Sequence, residues 1–153
     1  MTAKNSILSV GLGVALLLAS GVQAGAGSDV AYKVVDGNSI PKSLTGKPGD
    51  PKKGRATAIN RKKGNCLGCH KMPIPEQQFH GLIGPDLAGV AGRMSEGEIR
   101  ARIVDPKLVN PETIMPAFYK SKGFTRVLKK FEGKTVISAA DVEDIVAYLR
   151  TLK

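Results

Sequence analysis

Apolar residues fall into helical register at two places along this chain, and each place carries its own start signal. Ile99, Ile103 and Val104 form a stripe behind Ser95, with Glu98 completing a capping box, and Pro106 closes the run. Val142, Ile145, Val146 and Leu149 repeat the pattern behind Ser138 and Asp141. A third helix is signalled by its ends. Asp50 is the N-cap, Pro51 takes the first helical position, and Gly64 stops a run reaching about Lys63. Gly54 and Ala58 share a face of that helix, and their small size predicts a close crossing against the Val146 and Leu149 face of the last one.

The intervening stretches read as loops. Lys71 to Pro85 holds prolines at 73, 75 and 85 and glycines at 81 and 84, and Pro106, Pro111 and Pro116 interrupt the next stretch. The expected fold class is all-α, three or four helices joined by long loops. Such loops are uncommon in a small domain unless they cover something. Upstream, 25–49 is rich in Gly, Pro and Ser, with a short apolar piece at Val30 to Val35, and predicts an extended N-terminal arm before a domain over 50–153.

Residues 1–24 have the pattern of a secretory signal peptide: Lys4, an apolar run from Ile7 to Leu18, then Val22, Gln23 and Ala24 as a cleavage site, with Ala26 as an alternative. Ser9, Gly11 and Gly13 interrupt the run, which is short for a bilayer, so no membrane span is expected in the mature chain. The implied localisation is a bacterial periplasm.

Charge narrows the class of partner. The formal net charge is +10, concentrated at Lys42, Lys47, Lys52, Lys53, Arg55, Arg61, Lys62 and Lys63, and again at Lys120, Lys122, Arg126, Lys129 and Lys130. Such fields speed encounter with acidic partners. Nucleic acid is not expected, because the chain is exported and its basic run has no interleaved aromatics. With no Trp and 5% aromatic residues, a buried prosthetic group would supply much of the core volume.

Cys66, Leu67, Gly68, Cys69 and His70 contain both cysteines, in the pattern that attaches a c-type haem. Two thiols three apart on one turn can each add across a vinyl group of one porphyrin, while the adjacent imidazole lies beneath the iron. A thioredoxin-like redox pair would follow a buried strand in a βαβ unit, which is missing here, and zinc would need more Cys or His ligands. One covalently bound haem c is therefore expected, with His70 as one axial ligand.

The second ligand decides what the haem does. Met72 is too close to His70 to reach the opposite face, and Met94 reads as core at the start of a helix. His80 would give bis-histidine ligation by a tight path round the ring. Met115 is favoured, because Pro116 stiffens its backbone and Phe118 can shield the haem edge. On the other side, the Pro85 carbonyl can fix the His70 ring N–H. His/Met ligation raises the potential relative to bis-histidine and leaves no open position, so electron transfer is expected and no catalytic residue is assigned. A diffusible electron shuttle is the alternative; a gas sensor or peroxidase would need a vacant sixth position.

The ordered motifs, CLGCH, GPDL at Gly84 to Leu87, IMPAF and a terminal AYLRTLK, resemble the class I cytochromes c. More narrowly, GNCLGCHKMP, GLIGPDLAGVAGR, NPETIMPAFY and VEDIVAYLRTLK resemble the SoxX family, the monohaem subunits of SoxAX cytochromes. That resemblance implies a heterodimer with a haem-bearing SoxA subunit, within an L-cysteine S-thiosulfotransferase that joins thiosulfate oxidatively to a cysteine of the carrier SoxYZ. It places the sulfur chemistry on the larger subunit. It implies that this chain takes up the released electrons and passes them to another cytochrome.

Overall fold

The computed structural model describes residues 30–153, and the expected signal segment 1–24 lies outside them. Four helices follow in chain order: α1 (Pro51–Ile59), α2 (Val90–Arg93), α3 (Glu96–Val104) and α4 (Ala139–Leu149). Single 3-10 turns stand at Cys66–Gly68, Pro106–Leu108 and Lys129–Phe131. Among the described residues there is no strand, only one isolated bridge between Val35 and Ser39.

The ends of the helices follow from their caps. The Asp50 carboxylate accepts from the N–H groups of Lys52 (2.8 Å) and Lys53 (3.3 Å), and both capping boxes form, Ser95 with Glu98 and Ser138 with Asp141. α1 stops earlier than Gly64. Asn60 leaves helical geometry, and its side-chain and main-chain oxygens take the N–H groups of Lys62 and Lys63, so a local turn replaces the last helical turn. α2 was not expected from the sequence, being a single turn that opens at Gly89, whose φ of +69° favours glycine.

α1 and α4 cross backbone to backbone. A Cβ on Gly54 would collide with the Asp144 carbonyl and one on Gly49 with that of Glu143, so glycine is required at both points. The crossing falls at Asp144 and Ile145, earlier on α4 than the expected Val146 and Leu149 face. Ala58, Ile99, Val104, Val142, Ile145, Val146 and Leu149 are all buried in one core.

Of the expected arm over 25–49, the described part, from Val30 onward, is seated on the helices. Ile40 (1% exposed) and Leu44 (7%) belong to the core. The Ile40 N–H donates to Gly97 O (2.9 Å) and the Val30 N–H to the Tyr119 hydroxyl (2.8 Å). A buried ion pair completes the attachment: the Arg100 guanidinium binds Glu143 in bidentate fashion (2.8 and 2.9 Å) and reaches Ile40 O (2.7 Å), while Glu143 Oε1 also accepts the Leu44 N–H (2.9 Å). One arginine thus joins α3, α4 and the arm. Burying such a pair is costly, and its hydrogen bonds offset that cost.

Candidate haem site

The attachment motif lies on one tight turn. Asn65 takes a left-handed conformation (φ 45°) ahead of the 3-10 turn, and Cys66 O accepts from the N–H groups of Cys69 (3.1 Å) and His70 (2.8 Å). Both cysteines are free thiols, Cys66 half-buried and Cys69 exposed. Burial is the main cause pushing the Cys66 thiol up to about 11, so it stays protonated at neutral pH.

The His70 ring is held by the loop that follows it. Its Nδ1 lies 2.7 Å from the Pro85 carbonyl oxygen. A carbonyl can only accept, so Nδ1 carries the proton and Nε2 keeps the lone pair a metal would take. Gly84 packs flat against the same ring, where any Cβ would overlap it, and the Gly84 N–H donates to Cys69 O (2.8 Å). Gly81 lies equally close to the Gly68 carbonyl, and its N–H donates to Leu67 O (2.7 Å).

Met115 is half-buried on the loop between α3 and α4, and its N–H donates to the Thr113 hydroxyl (3.2 Å). Phe118 rests against the core, fixed by its N–H to Ile103 O (3.1 Å) and by Val136 and Ile137 donating to its carbonyl. The other sulfur candidates are elsewhere: Met72 is 3% exposed in the core, and Met94 packs partly buried against it. His80 accepts the Met72 N–H at Nδ1 (3.2 Å), which puts the neutral ring's proton on its buried Nε2 and leaves neither nitrogen a free lone pair.

These residues suit a covalent haem. Two unpaired thiols share a turn, the imidazole beside them presents its unprotonated nitrogen, and both flanking loops expose apolar side chains, Leu82 and Ile83 on one, Ile114 and Leu128 on the other. Among the described residues no group of three or more His, Cys, Asp or Glu could hold a bare metal ion. None of their helices is long and apolar enough to cross a membrane. The basic surface is partly engaged: Arg55 pairs with Glu76, Lys63 with Asp141 (2.8 Å) and Lys120 with Asp105 (2.6 Å). Sequence reading missed Arg100, Glu143 and Asp105, whose partners are distant along the chain.

A helical shell with one CxxCH turn and a glycine-packed histidine defines a c-type cytochrome. The cytochrome c family profile matches residues 38–153, and the chain belongs to that family, whose cofactor is covalently bound haem c. Its match begins within the predicted arm, consistent with the seating of Ile40 and Leu44. More narrowly it is a SoxX-like cytochrome: it is similar to a chain in the crystal structure of SoxXA from P. pantotrophus, with a TM-score of 0.72 and 36% identity, over 81% of this chain and 94% of that one. No curated protein matches the chain.

Proposed function

We propose that the chain is the electron-transfer subunit of a periplasmic thiosulfate-oxidising complex, paired with a SoxA-like haem subunit. It would take up electrons released when thiosulfate is joined to a SoxYZ-like carrier and pass them to an acceptor cytochrome. The observation that carries this reading is the likeness to the SoxXA chain, at 36% identity over 81% of the sequence. In this reading residues 1–24 are removed on export, and the domain spans the seated arm and 50–153.

Haem c, when bound, supplies reversible one-electron exchange. Cys66 and Cys69 would hold it covalently through their sulfurs. His70 would bind the iron through Nε2, its ring oriented by Pro85 and Gly84. Met115 would supply a thioether ligand to the iron, which raises the potential. In this reading both cysteines would be committed to attachment, and the chain's part is electron transfer.

Two measurements test this. Met115→Ala should abolish the sulfur-to-iron charge-transfer band and lower the potential while the covalent haem remains; an unchanged band would move the ligand elsewhere. Isolation from periplasm should yield the protein bound to a second haem subunit. Isolation as a monomer, with normal growth on thiosulfate after gene deletion, would instead identify a diffusible shuttle.

A further inference from the structure

We propose that Asp105 is a positioning residue for the Met115 ligand, its two carboxylate oxygens clasping the two ends of the loop 106–119; this rests on Met115 being the sulfur ligand. Asp105 lies at the C-cap of α3, is 5% exposed, and is followed at once by Pro106. Its Oδ1 accepts the N–H of Lys107 (3.3 Å) at the start of the loop. Its Oδ2 accepts from Nζ of Lys120 (2.6 Å), just past the loop's end.

The surrounding contacts give the clasp its direction. The Phe118 N–H donates to Ile103 O (3.1 Å) and the Tyr119 N–H to Val104 O (3.2 Å), which lays the returning chain against the end of α3. Within the loop, Lys107 Nζ donates to Pro111 O (2.7 Å) and Thr113 O (3.1 Å). Thr113 in turn accepts the Met115 N–H (3.2 Å). A short path of polar contacts therefore runs from Asp105 through Lys107 and Thr113 to the backbone of Met115.

A buried carboxylate needs a partner, and Lys120 is the only cation paired with Asp105 among the described residues. An apolar residue would fill the same volume at lower desolvation cost, whereas a carboxylate offers two fixed acceptors at a defined separation. The Lys120 ammonium also stands over the Phe124 ring at 5.9 Å, which keeps it at the loop base. Removing the cation leaves the closure to the backbone bonds of Phe118 and Tyr119 alone, which then open more often.

The test uses ferric holoprotein and added imidazole, which competes with Met115 for the iron. Lys120→Met should raise the apparent imidazole affinity on the order of tenfold, as expected for loss of one charge-assisted hydrogen bond. Lys120→Arg should restore wild-type affinity, and the amides of Phe118 and Tyr119 should exchange hydrogen faster only in the methionine variant. If Lys120→Met lowers the unfolding midpoint but leaves imidazole affinity unchanged, the pair is merely structural and the proposal is overturned. Met115→Ala, run in parallel, separates the two ideas. If its imidazole affinity rises while that of Lys120→Met does not, only the clasp fails. If it does not rise, the Met115 reading fails and takes the clasp with it.

Discussion

The loop behind His70 is pinned to the haem turn through its backbone, whereas the loop that carries Met115, closed at its base by backbone bonds, is braced around Met115 by side chains. On the His70 side the N–H groups of Gly81, Gly84 and Leu87 donate to the carbonyls of Leu67, Cys69 and Lys71, at 2.7 to 2.9 Å, and the Pro85 carbonyl takes the ring nitrogen. On the Met115 side the inner contacts come from the Lys107 ammonium, the Thr113 hydroxyl and the Asp105 to Lys120 ion pair. Backbone pinning tolerates side-chain change except where a glycine admits a close approach; side-chain pinning can be undone one residue at a time. With the ligation proposed above, the molecule therefore has a stiff side at His70 and an adjustable one at Met115, carried on a shared helical frame.

The largest expected effect removes the frame and so erases the comparison. Glu143→Ala leaves the Arg100 guanidinium buried without its carboxylate, and breaking such a pair costs about 3–5 kcal/mol. Denaturant unfolding of the holoprotein should show that loss, with the spectral signatures of both ligands disappearing in one transition. Two separate transitions would mean that the loops do not depend on the Arg100 junction.

Gly84→Ala strikes the stiff side alone. The new methyl would overlap the His70 ring, which Pro85 keeps from turning away. Overpacking of this kind costs about 1–3 kcal/mol. The expected result is a weakened His70 bond, read from the haem spectrum and from ligand competition at the proximal face, with the sulfur band of Met115 retained. An alanine variant indistinguishable from wild type would show that this loop can give way, and the contrast between the sides would lose its basis.

How much of this was legible in the sequence follows the same division. Features encoded within a few residues were readable: both capping boxes, the Asp50 and Pro51 helix start, and the turn of Cys66 to His70, because their partners lie within one helical turn. The contact between Pro85 and His70 was expected from a proline beside a glycine on the following loop. What escaped depends on chain-distant partners. A lone Arg100 in a helix gives no sign of pairing with Glu143, and Asp105 resembles an ordinary residue before proline until Lys120 folds back on it. The seating of the arm was not legible for a related reason: Ile40 and Leu44 are isolated apolar residues in a Gly- and Pro-rich stretch, with no periodicity to mark them as core. The early stop of α1 at Asn60 is local, but Asn competes only weakly with a helix whose next obvious terminator is Gly64.

The smallest expected effect is one of pH, and it too falls on the His70 side. Lys63, just before the haem turn, donates to Asp141 at the start of α4 (2.8 Å), so this pair ties the approach to Cys66 onto the frame. Burial alone would raise the Asp141 carboxyl, but the Lys63 ammonium and the Ser138 hydroxyl and N–H outweigh it and hold the group below its ordinary value of 3.8. A carboxyl depressed in the folded state adds stability above its unfolded pKa and loses that contribution as pH falls through the folded one. Acid should therefore loosen this tie below pH 3.8, and Asp141→Asn should remove that part of the acid dependence while lowering stability at neutral pH. Because Lys63 is 47% exposed, screening holds the ion-pair share to about 1 kcal/mol or less, and added salt should shrink it further. Unfolding midpoints of wild type and Asp141→Asn, measured from neutral pH downward, should converge as the carboxyl protonates. Curves that stay parallel throughout would show that Asp141 contributes only its cap to α4 and that the stiff side needs no charge to hold it.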